Sequence, residues 1–221
     1  MCNLYRQDVA PSVITHFFRG GPLQLSEQAR GRNVEAGYVG ADQDGPVLVN
    51  SGGTAKTGQL DLVTKRWGFP AIREGAKPIT NIRNLNSSWW RGANGKYLTK
   101  PEYRCLVPFS AFAEYNRAEK GNSWFEVKCD APMFAGIWRP WTGERLKEVF
   151  GKKRRQRQVD DWELYAFLTT EPNAVVAPIH PKAMPVILTS PKECAQWMSG
   201  GEDTLDLQSP LPDDMVSHLD G

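Results

Sequence analysis

A chain of 221 residues, 40% hydrophobic and 24% charged, is long enough to bury a sizeable core and has the composition of an ordinary soluble globular protein. No apolar run approaches a membrane span, and the N-terminus lacks the basic region and apolar core of a secretory signal, so a cytoplasmic protein without a membrane partner is expected. The net charge of +2 is too small to imply a nucleic-acid partner by itself, and four cysteines without a CxxC pair predict a protein free of metals and cofactors in a reducing compartment.

The chain opens Met1-Cys2-Asn3-Leu4-Tyr5-Arg6. A small second residue permits removal of the initiator, so the mature chain is expected to begin at Cys2. Its thiol and α-amine then share one carbon, with ordinary pKa values of about 8.5 and about 7.7–8.0 that leave some of each reactive near neutrality. Such a 1,2-aminothiol condenses with an aldehyde to an imine and closes on it as a five-membered thiazolidine. In an arbitrary chain the same cysteine is a small residue at a frayed end, so this chemistry needs partners elsewhere.

Val9, Val13, Ile14, Phe17 and Phe18 recur at helical spacing, with Pro11 suited to the first turn and Gly20-Gly21 to the end. The polar segment 24–43 predicts loop, with at most a short strand over 34–39. Pro46 to Asn50 and Leu60 to Trp67 predict strands. In Lys65-Arg66-Trp67-Gly68-Phe69-Pro70 an aromatic beside basic residues is either a base-stacking platform or a packed corner; alone, the corner is favoured. Ser87 opens a short helix carrying Trp89 and Trp90, both read as core. Arg104 to Pro108 predicts a buried strand, and Ala111 to Tyr115 alternates so that Glu114 lies between aromatics. A carboxylate in apolar company has a raised pKa, which suits a general acid–base; a salt-bridged or exposed glutamate is the competing reading.

Ser123 to Lys128 and Met133 to Trp138 predict a hairpin turned by Asp130-Ala131-Pro132. Arg145, Lys147, Lys152, Lys153, Arg154, Arg155 and Arg157 follow, opposed locally only by Glu148; a loop or extended hairpin tip is expected, either solvated or part of a DNA surface. Trp162 to Thr169 predicts a central strand. His180 stands in a loop restricted by prolines, which gives it a defined orientation. Pro191 to Met198 predicts the last helix, ended by Gly200-Gly201. Cys105, Cys129 and Cys194 read as buried small hydrophobes. Many short strands, few helices and long loops predict an α+β fold: a single domain over residues 1–200 with a curved, mostly antiparallel, barrel-like sheet flanked by short helices. A loosely attached acidic tail is expected over 201–221.

Separated motifs now stand in order: Met1-Cys2-Asn3, Trp67-Gly68-Phe69-Pro70, Asn81-Ile82-Arg83, Arg104-Cys105-Leu106-Val107-Pro108 with Glu114, and Ile179-His180-Pro181-Lys182-Ala183-Met184-Pro185-Val186. The ordered set resembles the SOS response-associated peptidase (SRAP) family of abasic-site processing proteins, over roughly Cys2 to Met198. The resemblance implies capture of abasic sites in single-stranded DNA as a covalent DNA–protein crosslink, a role in DNA repair. It implies catalytic roles for Cys2, Asn81, Glu114 and His180. The Cys2 amine would attack C1′ of the ring-opened sugar and its thiol close the thiazolidine. Asn81 would position amine and sugar, Glu114 move protons, and His180 assist opening of the deoxyribose ring. The resemblance further implies DNA-binding roles for Arg6, Trp67 and Arg83. It admits a slow lyase activity, by β-elimination from the Schiff base, and autocatalytic removal of Met1.

The chemistry agrees on independent grounds. An abasic sugar is mostly a closed hemiacetal, so something must open it, and imine formation needs a neutral amine and an acid to expel water. With no base to read, affinity should come from phosphate contacts and stacking and fall as salt rises. Two departures touch the DNA contacts. The commoner family start is Met-Cys-Gly-Arg, whereas Arg6 stands two places later; and Asn81-Ile82-Arg83-Asn84-Leu85 lacks the usual final carboxylate. A monomer is expected. Competing readings are an N-terminal-cysteine peptidase or hydrolase, whose thiol attacks an amide, and a non-catalytic module for single-stranded DNA. A Cys2-dependent adduct with abasic DNA separates the three.

Overall fold

The apolar runs marked out by the sequence pair into two sheets in a computed structural model that describes residues 2–71, 73, 76–92, 94–147, 153–201 and 203–219. In chain order the elements are β1 (Leu4–Gln7), α1 (Pro11–Phe17), β2 (Gln24–Leu25), α2 (Glu27–Arg30), β3 (Gly37–Gly40), β4 (Asp44–Asn50) and β5 (Gln59–Trp67). Then come β6 (Asn81–Ile82), α3 (Ser88–Arg91), α4 (Gly95–Thr99), β7 (Arg104–Pro108), β8 (Ala111–Asn116), β9 (Gly121–Val127) and β10 (Met133–Lys147). The remainder is β11 (Gln156–Thr170), β12 (Met184–Pro185), β13 (Ile187–Leu188), α5 (Pro191–Ser199) and β14 (Val216–Leu219). Among the described residues no helix is long and apolar enough to cross a membrane.

Five strands close into a barrel in the order β11–β10–β7–β4–β5, and β5 returns to β11. Four of these pairings are antiparallel; the closing one is parallel, with Leu164 opposite Arg66 and Tyr165 opposite Trp67. A second, wholly antiparallel sheet runs β14–β9–β8–β1–β3. Side chains of one parity on the barrel strands, including Val107, Phe134, Tyr165 and Phe167, join Tyr5, Phe112 and Phe125 of the second sheet in an aromatic core. The other parity, including Leu106, Ala135, Leu164 and Leu168, packs with Ile14 and Phe18 near α1 and with Trp197 of α5. Strands covered on both faces read as continuous apolar runs, which is why Arg104–Pro108 is buried at every position. The fold is therefore α+β, with a closed barrel, further sheet strands and short helices, in line with the expectation.

Several local readings hold. Pro11 opens α1, and α5 begins with a capping box in which Ser190 and Glu193 satisfy each other's backbone. Cys105 and Cys194 are buried, Cys129 partly so, and Trp90 is core while Trp89 is half-buried. Gly68 sits at a φ of +120°, and a Cβ there would lie 2.7 Å from the Pro78 side chain, so the turn after Trp67 tolerates only glycine.

Other readings are corrected. The hairpin expected between 123–128 and 133–138 does not form. β9 pairs with β8 and β14, whereas β10 pairs with β7, β11 and β13, so the intervening turn carries the chain from one sheet to the other. The C-terminal segment expected to hang loosely instead docks: β14 adds to the edge of β9, and Leu211 and Val216 are buried. Backbone pairing and apolar side chains outweigh the acidity of that segment. The basic stretch forms the outer part of the β10–β11 hairpin, with Lys147 opposite Gln156; the positions 148–152 lie outside the described residues.

Candidate active site

β1 lies between β3 and β8, with Leu4 opposite Ala113. Followed one step toward the N-terminus, this antiparallel register brings the chain start to Glu114, whose parity on β8 matches the inward-facing Phe112. Cys2 is consequently buried, not frayed. Its backbone N–H is near enough to the Glu114 carboxyl to favour that group's charged form, though less than the other influences on it. Its thiol donates to the Leu4 carbonyl at 3.4 Å. Burial, with the Glu114 charge next in weight, raises the thiol pKa well above the ordinary range, so the group rests as a thiol. Met1 lies outside the described residues.

Glu114 has no exposed surface. Burial pushes its carboxyl up to about 7, against the positive charge of the chain's N-terminus and, with least weight, the Cys2 N–H. Asn81 is set by β6, which runs parallel to β11 with Asn81 opposite Phe167. Its Nδ2 donates to the Cys2 carbonyl and to Thr80 Oγ1, each at 2.7 Å. Its Oδ1 is buried and has no hydrogen-bond partner among the described residues. That leaves a buried acceptor beside Cys2.

His180 is held less by its prolines than by a turn in which its own N–H donates to the Val176 carbonyl at 2.9 Å. Its Nδ1 lies 2.9 Å from the Ala183 carbonyl and 3.9 Å from Glu114 Oε2. In one neutral tautomer Nδ1 donates to that carbonyl; in the other it accepts from the Ala183 N–H at 3.3 Å, so Ala183 accommodates either neutral form of the ring. Burial, then the positive charge of the chain's N-terminus and those of Lys182 and Arg117, lower its pKa against the Ala183 carbonyl, so the neutral imidazole is favoured at pH 7. Cys2, Asn81, Glu114 and His180, spread over most of the sequence, thus meet. Beside them opens a cleft of about 780 Å³, lined among others by Asn81, Thr80, Tyr115 and His180.

The expected DNA contacts fare differently. Trp67 is fully buried, stacked on Phe167 at 5.1 Å between ring centroids, and its indole N–H donates to the Thr80 carbonyl. The packed-corner reading is the one the geometry fits: Trp67 can shape the cleft wall through Thr80 but presents no face to a base. Arg6 faces away from the cleft, donating to Ser110 and pairing with Asp8 and Glu126 at 3.3 and 3.4 Å. Arg83 pairs with Glu171 at 3.3 Å and lines a separate depression. The cleft itself carries Lys77, Arg117 and Lys182, which the sequence reading did not single out as DNA contacts. Their only signal was nearness in sequence to Asn81, Glu114 and His180.

Asp42 also lines the cleft, and it is already committed. Its Oδ1 accepts from Arg66 at 2.9 Å and from Arg145 at 2.6 Å, and its Oδ2 from Arg66 at 3.1 Å. Burial opposes ionisation, yet the two guanidiniums hold this carboxyl below its ordinary pKa. Arg145 also donates to the Gly68 carbonyl at 2.8 Å, which ties the long hairpin to the turn after Trp67. Among the described residues no group of three or more His, Cys, Asp and Glu gathers as a metal site would require.

Fold and site together define an α+β protein in which Cys2 meets a buried carboxyl and an imidazole beside a cationic cleft. The chain belongs to the SOS response associated peptidase (SRAP) family, whose model matches residues 1–219. Membership brings an SOS-associated role related to DNA damage. In fold the chain is similar to an X-ray structure of a Bordetella bronchiseptica protein, with a TM-score of 0.65 and 18% identity over 99% of this chain and 100% of that one. It is similar also to an X-ray structure of a Bacteroides thetaiotaomicron protein, with a TM-score of 0.62 and 18% identity over 98% and 90% of the two chains. No curated protein matches the chain.

Proposed function

We propose that this protein captures abasic sites in single-stranded DNA as a covalent crosslink through Cys2, after Met1 is removed. The observation that carries this reading is the meeting of Cys2 with a fully buried carboxyl, Glu114, whose pKa burial raises to about 7, and with Asn81, which holds the Cys2 carbonyl at 2.7 Å. Removal of Met1 converts the Cys2 amide nitrogen into a primary amine already beside an acid–base group.

The steps follow from the groups present. Opening the hemiacetal delivers a proton to the ring oxygen while the C1′ hydroxyl loses one, a proton-neutral exchange suited to His180 on the cleft wall. The amine adds to the C1′ aldehyde to give a carbinolamine. Protonated Glu114 transfers its proton to the departing hydroxyl, water leaves, and the resulting carboxylate takes the proton from nitrogen, so that the neutral imine forms and Glu114 is again protonated. The Cys2 sulfur then adds to the imine carbon while its proton passes through Glu114 to the nitrogen, closing the thiazolidine. Aldehyde and aminothiol join with net loss of one water. Asn81 holds the Cys2 carbonyl throughout, fixing the direction of the amine.

A thiol that rests protonated suits a second, ring-closing step better than the opening attack of a cysteine peptidase, which needs thiolate at the start. The test is incubation of the mature protein with single-stranded DNA bearing one abasic site, read by denaturing gel and intact mass. The expected product has the mass of protein plus DNA less one water. Cys2→Ser should give only an imine trapped by borohydride. Wild-type protein that binds the DNA without ever crosslinking would sink the proposal, and peptide cleavage without an adduct would favour the peptidase reading.

A further inference from the structure

The cleft beside Cys2 is more positive than an uncharged aldehyde requires. Lys77, Arg117 and Lys182 all line it and are exposed, and none of them makes an ion pair or side-chain hydrogen bond among the described residues. The carboxylate on the same wall, Asp42, is already taken by the buried guanidiniums of Arg66 and Arg145. Three uncommitted cations therefore face a cavity of about 780 Å³ whose facing carboxylate is neutralised from behind. Arg117 and Lys182 stand on either side of the reacting groups: Arg117 follows β8, which carries Glu114, and Lys182 follows His180 by two residues. Both lie close enough to His180 for their charge to act on its imidazole. An anionic group attached near the aldehyde carbon would meet them while that carbon reaches the Cys2 nitrogen. The cavity is within the usual size for a small-molecule site and has room for a pentose phosphate.

We propose that the minimal substrate of this site is a single phosphorylated sugar aldehyde, with no polynucleotide needed, and that Arg117 and Lys182 select it by its phosphate. The inference rests on the aldehyde-capture reading above and extends it to low-molecular-weight sugar phosphates. The reaction is the same condensation. The Cys2 amine adds to the aldehyde carbon, one water leaves as the imine forms, the thiol adds across the C=N bond, and its proton ends on nitrogen. No oxidant, reductant or further reactant enters. The phosphate stays intact and serves only as a handle.

The test compares 2-deoxyribose 5-phosphate with 5-O-methyl-2-deoxyribose, which is neutral but likewise confined to the five-membered ring. Mature protein is incubated with each sugar, and adduct formation is followed by intact mass as a gain of the sugar less one water. Free cysteine treated in the same way supplies the intrinsic ratio of the two reactivities. On the protein the phosphorylated sugar should be favoured about tenfold beyond that ratio, the equivalent of one charge-assisted hydrogen bond. The excess should fall toward the free-cysteine ratio in R117Q/K182Q and as salt rises. Using the ratio within one variant cancels any general loss of folding or reactivity. A ratio equal to that of free cysteine, or an excess that survives in R117Q/K182Q, overturns the inference. An abasic oligonucleotide run in parallel keeps the two readings apart. If it crosslinks while the small sugars show no phosphate preference, only the minimal-substrate inference fails; if it gives no adduct either, the proposed function fails with it.

Discussion

Glu114 concentrates the trade between stability and chemistry in this molecule. Its carboxyl is moved from the ordinary 4.5 to about 7 by burial, so the native state binds its proton more tightly than the unfolded chain does. The linked stability is full below pH 4.5 and declines as pH rises through 7, because the buried group must then ionise. The shift corresponds to about 3 kcal/mol at most. Glu114→Gln removes the ionisation but keeps the shape. The variant should match wild type in melting temperature near pH 4, exceed it increasingly from about pH 4.5 to about 7, and hold a constant lead above that, as thermal unfolding across the range would show. The same substitution removes the proton carrier, and its crosslinking rate should fall by about 10²–10⁴-fold on denaturing gels. A variant that is more stable at pH 8 yet crosslinks normally would separate Glu114 from the chemistry. Neither the burial nor the approach to Cys2 was visible in the alternation of Ala111 to Tyr115, which equally allowed an exposed or salt-bridged glutamate. The residue was legible through its place in an ordered set of motifs, and its environment only through the register of β1 on β8.

At the scale of elements, the long β10–β11 hairpin depends on one carboxylate far away in sequence. Arg66 and Arg145 are buried and share Asp42, and Arg155 adds a contact to the Asp42 carbonyl at 3.2 Å. Asp42→Asn would leave two guanidiniums without their countercharge in a desolvated corner, at a cost of about 3 kcal/mol. Urea unfolding should show this loss at neutral pH. The gap between variant and wild type should narrow below pH 3.8, since a depressed carboxyl contributes stability above its ordinary pKa and loses it as pH falls through its folded value. Adding Arg145→Met should recover part of the loss, so the double variant costs less than the sum of the two single ones. An additive double variant would mean that the hub is not energetically shared. This hub also explains where sequence reasoning fell short. Locally the basic stretch is opposed by a single glutamate; in space Asp42, Glu144 and Asp160 pair with Arg145, Arg157 and Lys147. Short-range signals did specify α5, whose capping box lies within four consecutive residues, Ser190 to Glu193. They could not tell that the turn at 130–132 changes sheets, because turn chemistry sets a reversal and not the partner of the strand that follows.

For the whole molecule, the distribution of charge matters more than its sum. A net charge of +2 gives little long-range attraction for DNA. The densest basic run in the sequence is partly spent on carboxylates of the hairpin and the cleft wall, so it is a weaker DNA surface than its composition suggests. Three cations without a side-chain partner among the described residues, Lys77, Arg117 and Lys182, gather around the cleft that holds Asn81 and His180. A strand of DNA entering that cleft would displace counterions mainly at Lys77, Arg117 and Lys182. For single strands each neutralised phosphate contributes about 0.7 to the log–log salt slope, so three contacts give a slope of about −2. The quantity to measure is the initial crosslinking rate at sub-saturating abasic DNA, between about 50 and about 200 mM salt, where that rate follows encounter affinity. A slope near zero would place the DNA away from these cations. A slope beyond about −4 would bring the outer hairpin, with Lys153, Arg154 and Arg155, into the contact. The intermediate value is expected because Lys77, Arg117 and Lys182 are the cations that line the cleft where the reacting groups meet, so a phosphate next to the abasic sugar gains most there.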